Sequence, residues 1–84
     1  MCSDETLLDV LQYIQNQLNE TGKCKINPET AIETVNEVVF QIAVEELKRF
    51  NYISCYVEES DVTGDTYEVT DITERGMQFI KKHM

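Results

Sequence analysis

Residues 40–53, FQIAVEELKRFNYI, and residues 72–80, ITERGMQFI, decide the fold. In the first stretch Phe40, Ala43, Val44 and Leu47 recur at helical spacing. Asn51, which tolerates the left-handed conformation, then ends the helix. Beyond it Ile53, Cys55 and Val57 alternate with Ser54, Tyr56 and Glu58, the pattern of a half-buried strand. The second stretch predicts a closing helix over residues 73–82, with Ile72, Gly76, Phe79 and Ile80 on its inward face. Asp71 and Glu74 have capping-box spacing at its start, and Lys81 and Lys82 suit its C-terminal dipole. Gly76 inside this helix marks a close approach to a neighbouring element. Between the two stretches lies an acidic hairpin. Val62-Thr63-Gly64-Asp65 forms its turn, and Tyr67 and Val69 alternate with Glu68 and Thr70 on its second strand.

Working back towards the N-terminus, Leu7, Leu11, Ile14 and Leu18 define the buried stripe of a first helix. That helix starts at Asp4 or Glu5, capped by Ser3 or Asp4, and runs to about Glu20. Gly22 stands at its left-handed end. Residues 23–26 form a connector able to pair briefly with the hairpin. Asn27-Pro28 has the form of a helix start, which predicts a short second helix over residues 28–34 with Ala31 and Ile32 inward. The third helix is capped by Asn36, or begins at Thr34 through the box with Glu37. A single helix over residues 28–50 is the competing arrangement. It would span ~35 Å, long for so small a domain, so a break near Val35 is preferred. The whole is then an α+β chain: a winged helix-turn-helix of three helices, a two- or three-stranded β-wing and a C-terminal helix, in one domain over residues 1–84.

Composition bounds the function. The 84 residues include 16 acids and 7 bases, for a formal charge of −9. Duplex DNA affinity comes largely from basic groups at phosphates, so this charge opposes the use to which winged helices are mostly put. No apolar run approaches the ~20 residues of a membrane span, and no signal-like segment opens the chain. A cytoplasmic, soluble protein is the expectation. Cys2, Cys24 and Cys55 are an odd set without CxxC spacing, and His83 is the one histidine. These residues suggest neither a disulfide framework nor a metal site. Nor do they offer a catalytic set with a nucleophile beside its base. The glycines at 22, 64 and 76 form no phosphate loop. Hence no enzyme, cofactor or small-molecule substrate is expected.

The third helix carries the functional expectation. With Phe40 inward, its outer side presents Val38, Ile42, Glu45 and Arg49. A base-reading helix would offer polar side chains there. Two aliphatics one turn apart instead suggest a face for a protein partner or for a second copy of the chain. The wing adds Glu58, Glu59, Asp61 and Asp65 to that candidate surface. From Glu58 to Glu74 there are seven acids and no base, a segment that repels phosphate. If DNA is bound, the candidate residues are Gln41, Lys48, Arg49 and Arg75.

The chain resembles the YjcQ-like proteins, small winged-helix proteins found largely in Firmicute genomes and their phages. Phe40, Ala43, Val44, Leu47, Lys48, Arg49, Tyr52 and Ile53 carry the resemblance, with Tyr67, Thr73, Glu74 and Gly76. It covers residues 35–82. Arg75 stands where a lysine is usual, and Asn51 replaces a glycine. The resemblance implies the fold and a bacterial or prophage setting, and says little of activity. The expected function is a small non-enzymatic regulator acting mainly through protein contacts. The alternatives are a winged-helix transcriptional regulator and, more weakly, an acidic inhibitor that mimics DNA.

Overall fold

The computed structural model describes residues 2–58 and 66–83. It is a small α+β arrangement of three helices and a three-stranded antiparallel sheet, compatible with a winged helix. The predicted hairpin turn at residues 62–65 lies outside the described residues.

Helix α1 spans Asp4–Thr21. The Ser3 hydroxyl accepts a hydrogen bond from Thr6 N at its start. Gly22, at φ 83°, ends it with its amide on the Leu18 carbonyl. Leu7, Val10, Leu11 and Ile14 are its buried residues, while Leu18 is only half-buried against the core. Strand β1, Cys24–Ile26, follows.

The short helix expected over residues 28–34 does not form, and neither does the continuous helix that competes with it. Asn27 Oδ1 accepts from Glu29 N at 2.8 Å, and Asn27 N donates to Thr30 Oγ1 at 3.0 Å. Farther on, Ile32 and Val35 exchange two backbone hydrogen bonds across a tight turn. These local bonds offer the backbone an alternative to the helical ladder. Seven residues are also too few for a helix without a buried face, and Ala31, expected inward, is exposed. Thr34 Oγ1 donates to Asp9 on α1 and ties the segment down. Among the described residues there are therefore three helices where four were expected in the chain.

Helix α2, Glu37–Arg49, begins at Asn36, whose side chain accepts from Val39 N. It ends in a Schellman arrangement: Tyr52 N donates to the Leu47 carbonyl and Asn51 N to that of Lys48. Asn51 sits at φ 63°, where a Cβ is penalised and asparagine less than most. Asn51→Ala is expected to lower the unfolding free energy by about 1 kcal/mol, while Asn51→Gly holds it. Equal losses for both in urea denaturation would refute the left-handed requirement.

Strands β2, Ile53–Glu58, and β3, Thr66–Ile72, complete a sheet of order β1-β3-β2. Ser54 opposes Asp71 and Cys55 opposes Val69, so Thr70 is an extra residue on β3. This bulge shifts the alternation. Tyr67 and Val69 face the core, but Ile72 rather than Asp71 is the next to do so. Ile72 therefore closes β3 instead of opening the last helix. Helix α3, Glu74–Lys82, is capped by Thr73, whose hydroxyl accepts from Gly76 N. Asp71, the expected cap, instead bonds Ile72 N. Three contacts bind α3 to the exit of α2. Thr73 N donates to the Tyr52 carbonyl at 3.0 Å, and Thr73 Oγ1 to that of Asn51 at 2.6 Å. Gly76 packs on the same Tyr52 carbonyl.

The core fills the space between the helices and one sheet face. Phe40, Leu11, Ile14, Ile26 and Leu47 are its largest fully buried side chains. Among the described residues no helix is long and apolar enough to cross a membrane.

Candidate functional site

Helix α2 turns Phe40, Ala43, Val44 and Leu47 into the core. Its opposite side exposes Val38 by 67% and Ile42 by 40%, one turn apart. Glu45 continues that stripe three residues on. Its carboxylate is not idle, however, because Oε1 accepts from the Tyr67 hydroxyl at 3.0 Å. This bond joins α2 to β3 and orients the acid at the edge of the aliphatic pair.

Gln41 is also committed. Its Nε2 donates to the Asn27 carbonyl at 2.7 Å, which holds the 28–35 turn against α2. An adenine contact needs both ends of such a carboxamide, and here one end is occupied. Lys48 and Arg49 lie exposed in the last turn of α2, where cations suit the dipole. Arg75 lies on α3, its guanidinium 6.0 Å from the centre of the Tyr52 ring. The two groups of cations thus belong to elements joined at Tyr52 and Thr73. Glu58 is exposed at the end of β2. Glu59, Asp61 and Asp65 lie outside the described residues.

Some features were not anticipated from the sequence. Glu46 is 5% exposed and accepts the Cys2 amide at 3.0 Å, anchoring the segment before α1. A carboxylate buried in this way keeps its place through a hydrogen bond. Helical spacing puts Glu46 beside half-buried Val39 and Glu45 on the outer side, but it does not show that Glu46 is buried against Cys2. An aromatic run Phe50–Tyr52–Phe79–His83 also forms, with ring centres 5.7, 5.1 and 4.5 Å apart in turn. The i, i+4 spacing of Phe79 and His83 was the available signal for its last pair.

The thiols are poor nucleophiles. Burial pushes Cys24 up to about 11. Burial also raises Cys55, an effect that Lys48 partly offsets. Cys2 is raised by burial and by the charge and hydrogen bond of Glu46. The reactive form is the thiolate, and in all three the shift favours the protonated thiol. Among the described residues, no three His, Cys, Asp or Glu side chains gather as a metal site would require.

Comparison of the chain with protein-family models, with curated proteins and with solved structures finds no match.

Proposed function

We propose that this chain is a small, non-enzymatic binding protein on a winged-helix frame, acting in a regulatory role through protein–protein contacts of α2. In that frame α2 is the helix that would face DNA, β2 and β3 are the wing, and the 28–35 turn replaces the usual second helix. The resemblance to YjcQ-like proteins over residues 35–82 supports the frame and a bacterial or phage setting. The observation that carries the proposal is the composition of the outer face of α2. Val38 and Ile42 are exposed there, while Gln41 Nε2 and Glu45 Oε1 are engaged by Asn27 and Tyr67. Covering the two aliphatics is favourable by about 25 cal/mol per Å².

A second copy of the chain is the partner we favour, because the two ends of α2 carry opposite charge and locally offset the −9 of each copy. Helix α2 begins with Glu37 and ends with Lys48 and Arg49. Two copies packed antiparallel across a two-fold axis set unlike charges against each other at both ends. Sedimentation equilibrium tests this. The wild type is expected to dimerise with rising concentration, and Ile42→Asp to remain monomeric. Because Ile42 is partly exposed, its stability should change by no more than about 0.5 kcal/mol. A wild-type monomer at every concentration, or an Ile42→Asp dimer, overturns the proposal.

Duplex recognition through Gln41, Lys48, Arg49 and Arg75 is the weaker reading, since Gln41 is already engaged and the chain carries −9.

A further inference from the structure

The charge of this molecule is sharply uneven. Residues 48–52, KRFNY, and 75–83, RGMQFIKKH, contain five of the seven lysines and arginines and not one acid. All 16 acids lie elsewhere, in company with only Lys23 and Lys25. The fold joins these two basic segments through the Thr73 and Gly76 contacts to Asn51 and Tyr52. A strongly acidic protein therefore gathers most of its cations in one region, with Asp4 of α1 3.9 Å from His83 at one end of it.

That region contains a groove of about 220 Å³, lined by Tyr52, Arg75, Gln78, Phe79 and Lys82. Its helix residues fall at positions i, i+3, i+4 and i+7 of α3, one continuous face. Arg75 and Lys82 stand two turns apart, roughly 10 Å along the axis. Between them lie the half-buried rings of Phe79 and Tyr52, stacked on each other with planes 29° apart; His83 lies 4.5 Å from the Phe79 ring and the Arg75 guanidinium 6.0 Å over that of Tyr52. Neither cation makes an ion pair among the described residues. Glu74 follows the cap directly, but neighbours in a helix do not face each other, and Glu74 is not part of the groove lining.

Cations at both ends of a partly open aromatic surface match a ligand with a flat π face and negative charge on either side. One nucleotide of a single strand has that form: a base between two phosphates. Single-strand sites combine the same two elements, aromatic platforms and a positive track. The groove is smaller than the ~300 Å³ lower bound typical of sites for drug-sized ligands, which suits one base rather than a larger molecule. Paired bases in a duplex cannot present their faces to Tyr52 and Phe79.

We infer that this groove binds one nucleotide of a single-stranded nucleic acid. The base packs on the part of the Tyr52–Phe79 stack that the groove exposes, its flanking phosphates meet Arg75 and Lys82, and Gln78 lies within reach of the base edge. The site is separate from the aliphatic face of α2 and does not depend on its role.

The test is a fluorescence-anisotropy titration of the whole protein with a labelled short oligodeoxythymidylate, from low to moderate salt. An Arg75→Ala/Lys82→Ala variant is measured alongside, its fold checked by circular dichroism. Both substitutions are at exposed positions. The wild type is expected to bind, with affinity falling linearly in log–log form as salt rises. The variant should bind about tenfold more weakly or worse, with a salt slope shallower by about 1.4, the amount for two single-strand phosphate contacts. Amide shifts in an NMR titration with the same oligonucleotide should cluster on Tyr52, Arg75, Gln78, Phe79 and Lys82. Absence of binding at low salt overturns the inference. So does a variant with unchanged slope, equal competition by duplex DNA, or equal binding of an acidic aromatic peptide.

Discussion

Gly76→Ala lowers the unfolding free energy by about 2 kcal/mol or more, against the ordinary preference of helices for alanine. That preference is about 1 kcal/mol in favour of the substitution. Opposing it, a Cβ at residue 76 would stand 2.7 Å from Ile72 Cγ2 and nearer still to the Tyr52 carbonyl oxygen. Overpacking in a tight site costs typically 1–3 kcal/mol and occasionally more. Here the main obstacle is backbone, so no rotamer change relieves it. The same carbonyl accepts from Thr73 N, so moving α3 outward also strains the bond that seats its first turn. In a domain of this length each kcal/mol corresponds to about 4–8 °C, and thermal unfolding followed by circular dichroism should show a fall of roughly 10 °C or more. An unchanged or raised midpoint would mean that α3 does not approach Tyr52 this closely. Displacement of α3 would also carry Arg75, Phe79 and Lys82 away from Tyr52, so the groove and the stability are expected to fail together.

Phe40→Ala has the largest expected effect, a loss of about 4 kcal/mol. Phe40 has no exposed surface and is the largest fully buried side chain among the described residues. It meets Tyr13 of α1 edge-on, with ring centres 5.6 Å apart and planes at 85°. That geometry adds about 0.5–1.5 kcal/mol beyond the buried area. The total stability of an 84-residue protein is on the order of 4–13 kcal/mol. One truncation therefore removes a third of it or all of it. Urea denaturation of the variant should show either a much lower midpoint or no folded baseline, and a loss under about 1 kcal/mol would contradict the packing of α1 on α2 through this ring. The substitution separates fold from function on α2, because Val38 and Ile42 lie on the other side of the helix.

Much of the frame was legible in the chain because its signals are local. The stripe Leu7, Leu11, Ile14 located α1. Asn36 and the Phe40–Leu47 periodicity located α2. The alternation from Ile53 to Val57 located β2. Asn51 was identified as the left-handed residue and Gly76 as a point of close approach, each from the demands of a single backbone position. The exposure of Val38 and Ile42 followed from helical geometry once Phe40 was placed inward. The residues at 28–34 misled for the same reason. Asn-Pro is a true helix-start pattern, but here the turn bonds of Asn27 and Thr30 and the Ile32–Val35 pair replaced the helix.

Taken alone, the sequence located α1, α2, α3 and the two hairpin strands, while adding a helix at 28–34 that does not form; it also determined which faces of α1 and α2 are apolar, and that the molecule is strongly acidic. These depend on residues within a few positions of one another. Only the tertiary structure decided which polar groups are spoken for. Gln41 bonds Asn27, Glu45 bonds Tyr67 and Glu46 bonds Cys2, across separations of 14, 22 and 44 residues. It also decided that the bulge at Thr70 turns Ile72 inward, and that Tyr52 comes to lie beside Arg75, Phe79 and Lys82. Periodicity assigns a residue to a face. A hydrogen-bond partner, or a groove shared by a strand entrance and a helix, exists only once distant elements have packed together.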